Sequence, residues 1–126
     1  MAIPGLIRNF ASTSAIAANR IVAVAPGDFM ASQATGVADN ALGVTEQGTD
    51  NHKRVDVVMD QIAPVELGGD FAGGEWAVSD SEGRAIPFDK ALFAEDATIN
   101  VVGKVLETGD AGTIVDIHVT PFIIVK

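Results

Sequence analysis

The chain has 126 residues, enough for one domain that buries roughly two-thirds of its unfolded surface. It contains no cysteine, which excludes disulfides and thiolate metal sites. Its formal net charge of −9 repels phosphate backbones and argues against nucleic-acid binding, and no apolar run reaches the roughly 18 residues of a membrane span.

The first segment, Ile3–Ile7 (IPGLI), is apolar, but Pro4 and Gly5 make it a poor helix start. It lacks the charged start and long apolar block of a secretory signal, so the expectation is a soluble protein made in the cytoplasm. Asn9–Asn19 (NFASTSAIAAN) follows, small, polar and uncharged. Residues 1–27 carry Arg8 and Arg20 and no acid, whereas the other 99 residues hold all 17 acids and 6 bases. Two readings of this start stay open. It pairs within its own domain, or it is an arm that adds a strand to a neighbour's sheet edge, where main-chain hydrogen bonds need no charge. The arm reading divides the chain into an N-terminal arm, residues 1–20, and a single β-domain, residues 21–126.

From there the chain reads as short β-branched runs bounded by Gly, Asp, Asn and Pro. Ile21–Ala25 (IVAVA) is a continuous apolar run, as a buried strand requires, and Pro26-Gly27-Asp28 ends it. Phe29–Ala34 is a short strand, and Ala38-Asp39-Asn40 turns into Ala41–Glu46. After the polar loop Gly48–Lys53, Arg54–Asp60 (RVDVVMD) alternates cleanly. Val55, Val57 and Met59 share one face, opposite Arg54, Asp56, Val58 and Asp60. Ile62–Leu67 follows, with Pro64 marking an edge or bulge. Glu75–Ser79 puts Trp76 and Val78 on one face, with Trp76 expected in the core. Asp80-Ser81-Glu82-Gly83 fits a type I turn into Arg84–Pro87. Phe88–Thr98 is a helical turn capped by Asp89, or a loop. Asn100–Glu107 and Thr113–Thr120 are strands, Pro121 interrupts, and Phe122–Val125 is a final short strand. The pattern predicts an all-β fold, a small β-barrel or sandwich of about 8–10 short strands with an extended N-terminal arm.

Chemistry is scarce. The serines lie outside any G-x-S-x-G elbow, and the glycines form neither G-x-G-x-x-G nor a P-loop. His52 lies near Asp50 in a polar loop. Asp116 and His118, two apart on an outward strand face, either orient an imidazole or bind a metal, or are simply a solvated face. No carboxylate set has EF-hand spacing. No catalytic, cofactor or metal site is assigned, and no cofactor is expected.

The order of the body segments carries a resemblance. ALGVTEQ (Ala41–Gln47), RVDVVMDQIAPVELGG (Arg54–Gly69), AGGEWAVSDSEGRAIP (Ala72–Pro87) and VGKVLETGDAGTIVDIHV (Val102–Val119) resemble the small capsid decoration, or cement, proteins of tailed bacteriophages. The likeness runs over roughly Val37–Val119. The chain departs from it at Ala72-Gly73-Gly74, where the family has A-G-D, at Gly48–Lys53, at Phe88–Asn100, and throughout the first 36 residues. The resemblance implies a non-enzymatic virion protein on the exterior of the expanded capsid, synthesised in the host cytoplasm. Such proteins assemble as a homotrimer at threefold or quasi-threefold sites, bind the major capsid protein and stabilise the shell. In several relatives an N-terminal arm joins a shell-protein sheet. Carried to this chain, the arm contacts are Ile3, Pro4, Leu6, Ile7 and Phe10, with Arg8 and Arg20 pairing to acidic shell surface. The rivals are a tail or baseplate β-module that binds a receptor or sugar, and a small enzyme or accessory subunit using Asp116 and His118.

Overall fold

A computed structural model describes residues 3–4, 6–50, 53–89 and 97–125. The strands in chain order are β1 (Ile3–Pro4), β2 (Ile7–Ser12), β3 (Arg20–Val24), β4 (Met30–Gln33), β5 (Ala41–Thr45), β6 (Arg54–Val58), β7 (Gln61–Glu66), β8 (Trp76–Ser79), β9 (Ala85–Pro87), β10 (Thr98–Val105) and β11 (Ile114–Val125). Strands β2-β4-β3-β5-β6 close into a barrel. The others form a six-stranded sheet in the order β1-β7-β11-β10-β8-β9. The expected all-β barrel or sandwich is therefore correct, in the form of a barrel laid against a sheet. The possible helical turn at Phe88–Thr98 lies largely outside the described residues.

Two apolar cores explain the strand patterns. Inside the barrel, Phe10, Ile16, Val22, Ala31, Val55 and Val57 pack together, with Leu42 and Met59 half-buried against them. Between barrel and sheet, Ile21, Ala23, Val44 and Val58 meet Ala63, Val65, Val102, Val105, Ile117 and Val119. Strand β3 is thus buried on both faces, which is why IVA reads as an unbroken apolar run. The same geometry corrects β6. Its alternation puts Val55 and Val57 in the barrel as expected, but Val58, on the expected outer face, is buried against the sheet.

A third cluster, Val78, Ile99 and Val101, lies on the sheet face away from the barrel. Strand β11 runs through Pro121 instead of stopping there. Val101 pairs with Phe122 but Gly103 with Val119, so a bulge around Thr120–Pro121 absorbs the proline. At Gly103 the strands come so close that a Cβ would strike the His118 carbonyl. The Asp80–Gly83 turn forms as the sequence predicts. Asp80 accepts hydrogen bonds from the Glu82 and Arg84 N–H groups, and Gly83 takes φ 75°.

Candidate functional site

Among the described residues of the stretch read as an arm, Ile3–Pro4 and Ile7–Ser12 pair with strands of their own chain. Ile3 and Pro4 pair with Ile62 and Gln61 of β7. Strand β2 lies antiparallel to β6, from Ile7 opposite Val58 to Ala11 opposite Arg54, and parallel to β4. Its apolar partners explain the pairing. Phe10, only 7% exposed, belongs to the barrel interior, and the buried Ser12 hydroxyl donates to the Asp50 or Lys53 carbonyl. Arg20 also serves the chain itself. Its guanidinium meets Glu66 at 3.2 Å and donates to the Glu82 carbonyl, tying β3 to β7 and to the β8–β9 turn.

Of the proposed contact residues, Leu6, Ile7 and Arg8 remain at the surface. Leu6 is 51% exposed and Ile7 48%. Arg8 stacks its guanidinium 4.4 Å from the centroid of Phe29. Local pattern marks Phe29 only as a strand start. It sits in the turn after Pro26-Gly27-Asp28, 55% exposed, with φ 52°. A bulky side chain in the left-handed region costs on the order of 1–3 kcal/mol, and such strain concentrates at functional surfaces. Its ring also touches Phe10, at 6.2 Å between centroids. Leu6, Arg8 and Phe29 thus give one face at the entry of β2 an apolar, cationic surface, whereas Ile7 lies on the other face of the strand with Asn9. Nothing in the local sequence announces an exposed Phe except its place in a Gly-Asp turn.

Other expectations move. Trp76, expected in the core, is 38% exposed on the outer sheet face. Phe122 meets it edge-on at 5.1 Å, and Lys104 Nζ lies 4.8 Å from its ring centroid. The register with β10 supplies the cause, since Trp76 lies opposite Lys104, on the face turned away from the barrel. Asp116 and His118 also lie on the outer face of β11, opposite Pro64 and Ile62. No third metal-binding side chain joins them among the described residues. His52 lies outside the described residues. Among those residues, no helix is long and apolar enough to cross a membrane.

No family model and no curated protein matches the chain. Among solved structures, the fold is similar to the head fiber gp8.5 N base in bacteriophage phi29. The two align with a TM-score of 0.65 and 19% identity, over 91% of this chain and 93% of that one. At that identity the likeness is one of fold, and it takes in the barrel and the sheet together.

Proposed function

We propose that the chain is a non-enzymatic structural protein of a tailed-phage virion that binds the outer surface of the expanded head. The observation that carries this reading is the near end-to-end fold likeness to a phage head fiber base. The surface chemistry agrees with it. The acid-free first 27 residues bring Leu6 and Arg8 to one face of β2, where strained Phe29 joins them from a turn that also carries Asp28. An acidic exterior keeps particles apart in solution, and an apolar, cationic entry strand suits contact with a shell.

In this reading the partner is the major capsid protein. The protein sits on the capsid exterior as a homotrimer at threefold or quasi-threefold sites, and it stabilises the shell. Repetition over a lattice lets a modest contact per copy become a strong cage. Leu6, Arg8 and Phe29 make the contact, Ile7 borders it from the other face of β2, and Ile3 and Pro4 extend it along the β7 edge. Phe10 and Arg20 support it from inside the chain. The test is co-sedimentation with purified expanded heads. The wild-type chain pellets with the heads, and the double variant Leu6→Asp, Phe29→Asp stays in the supernatant. Equal pelleting of the two would place the contact elsewhere.

The exposed Trp76–Phe122 pair favours one second reading, a tail module that stacks a sugar or receptor on an aromatic. Against it, Lys104 already caps a face of the indole. Binding to a glycan array that is lost in Trp76→Ala would establish it.

A further inference from the structure

The barrel has a gap in its wall between β5 and β6. Backbone polarity alternates along β6, and two hydrogen bonds fix its phase. Met59 N–H donates to the Leu6 carbonyl, and Ser12 N–H donates to the Lys53 carbonyl. Residues 53, 55, 57 and 59 therefore turn their backbone groups toward β2, and Arg54, Asp56 and Val58 turn theirs toward β5. There, Val58 pairs with Val44, and the Arg54 carbonyl accepts from Thr49 Oγ1. The rung between them is missing. After Thr45 the chain swings aside, and Thr49 pairs with Ile16 through reciprocal backbone hydrogen bonds of 2.8 and 2.9 Å. The Asp56 N–H and C=O face the gap with no partner among the described residues.

The gap opens into a cleft of about 290 Å³, walled by Glu46, Gln47 and Gly48 on one side and by Arg54, Asp56 and Val58 on the other. Ile7 and Asn9 of β2 close one end. The polar wall is held in place. Arg54 Nε donates to Asn9 Oδ1, and Asn9 Nδ2 donates to Asp56 Oδ1 at 2.9 Å. The Asn9 amide thus occupies Arg54 Nε and one Asp56 oxygen. Glu46 and the other Asp56 oxygen have no cationic partner among the described residues, and two carboxylates against one guanidinium leave the cleft net negative.

We infer that the cleft is a docking slot for an extended peptide segment of a partner protein that carries a lysine or arginine. Its backbone supplies the missing rung to Asp56, and its cationic side chain lies between Glu46 and Asp56. Unpaired strand edges take up such segments through main-chain hydrogen bonds, with side chains setting the choice. The inference does not depend on head binding. It concerns a different face of β2 from the one that carries Arg8 and Phe29.

The test uses the ¹⁵N-labelled full chain and two blocked peptides, Thr-Val-Lys-Val-Thr and Thr-Val-Glu-Val-Thr. In the free protein, the Asp56 amide exchanges with solvent at least about 100-fold faster than those of Val55 and Val57, because only they are paired. The lysine peptide shifts the amide signals of Glu46, Gln47 and Asp56 and slows Asp56 exchange. The glutamate peptide binds at least about tenfold more weakly. Glu46→Gln, an exposed substitution that leaves the fold intact, weakens the lysine peptide several-fold. Slow exchange at Asp56 in the free protein overturns the open rung. Equal binding of the two peptides, no shift up to about 10 mM, or an unchanged affinity in Glu46→Gln overturns the slot for a cationic segment.

Discussion

Phe10→Ala asks whether the first β-strand belongs to this chain's own core. The ring is 7% exposed and packs with Ile16, Val22, Ala31, Val55 and Val57. Truncating a buried Phe costs about 3–5 kcal/mol, the lost transfer energy plus the cavity left behind. Phe10 contacts exposed Phe29, so partial collapse of the site favours the lower part of that range, about 3–4 kcal/mol. An unfolding entropy of about 2.1 cal/mol/K per residue makes each kcal/mol worth roughly 4 °C in a chain of this size. The expected fall in Tm is therefore about 11–15 °C. Urea unfolding followed by tryptophan fluorescence measures the free energy, and calorimetry the Tm. Leu6→Asp, at a half-exposed position in the same segment, is the control and stays within about 0.5 kcal/mol of wild type. A loss below about 1 kcal/mol for Phe10→Ala would mean that the segment is a loosely held arm, and the barrel account would fail.

Gly103→Ala drives a methyl into the His118 carbonyl across β10 and β11, where backbone, not a flexible side chain, must yield; chemical denaturation should show a loss of about 2 kcal/mol or more, and less than about 0.5 would contradict the close approach. Arg20→Met breaks a pair whose side chains are only 17% and 25% exposed, and should cost about 1–3 kcal/mol, below the fully buried range because water still reaches both groups. Phe29→Gly removes left-handed strain but also the contacts with Phe10 and Arg8, so Tm should stay within about 3 °C of wild type. The same variant should bind heads at least about tenfold more weakly, and unchanged binding would remove Phe29 from the contact surface. Deleting residues 2–19 removes a barrel strand, so it should unfold the protein and not merely release it from heads, which circular dichroism would reveal.

The sequence carried most strands but not their company. RVDVVMD gave the period of β6 without ambiguity, yet only the sheet behind the barrel explains why Val58 is as buried as Val57. A period-2 pattern tells which residues share a face, not how many layers surround the strand. Pro121 suggested a break, and the chain absorbs it in a bulge because the proline needs no hydrogen bond there. Trp76 was a natural core residue by size, and its exposure follows from a register that sets it opposite Lys104. The start of the chain was the hardest part. NFAS has neither charge nor strong strand propensity, and its pairing with β6 is a contact across more than 40 residues that local pattern does not encode. Leu6, Ile7 and Arg8 were visible as an acid-free group, while Phe29 joins Leu6 and Arg8 only through the turn that bends β4 back beside β2.

The most direct test of the central claim is to mix the purified protein with bare expanded phage heads and determine the structure of the particles by cryo-electron microscopy. The account predicts added density on the outer surface, three copies around each threefold or quasi-threefold position, with the Leu6–Phe29 side of the barrel against the shell. Heads that remain bare at saturating protein, or density that touches the shell only through the acidic surface, would contradict it.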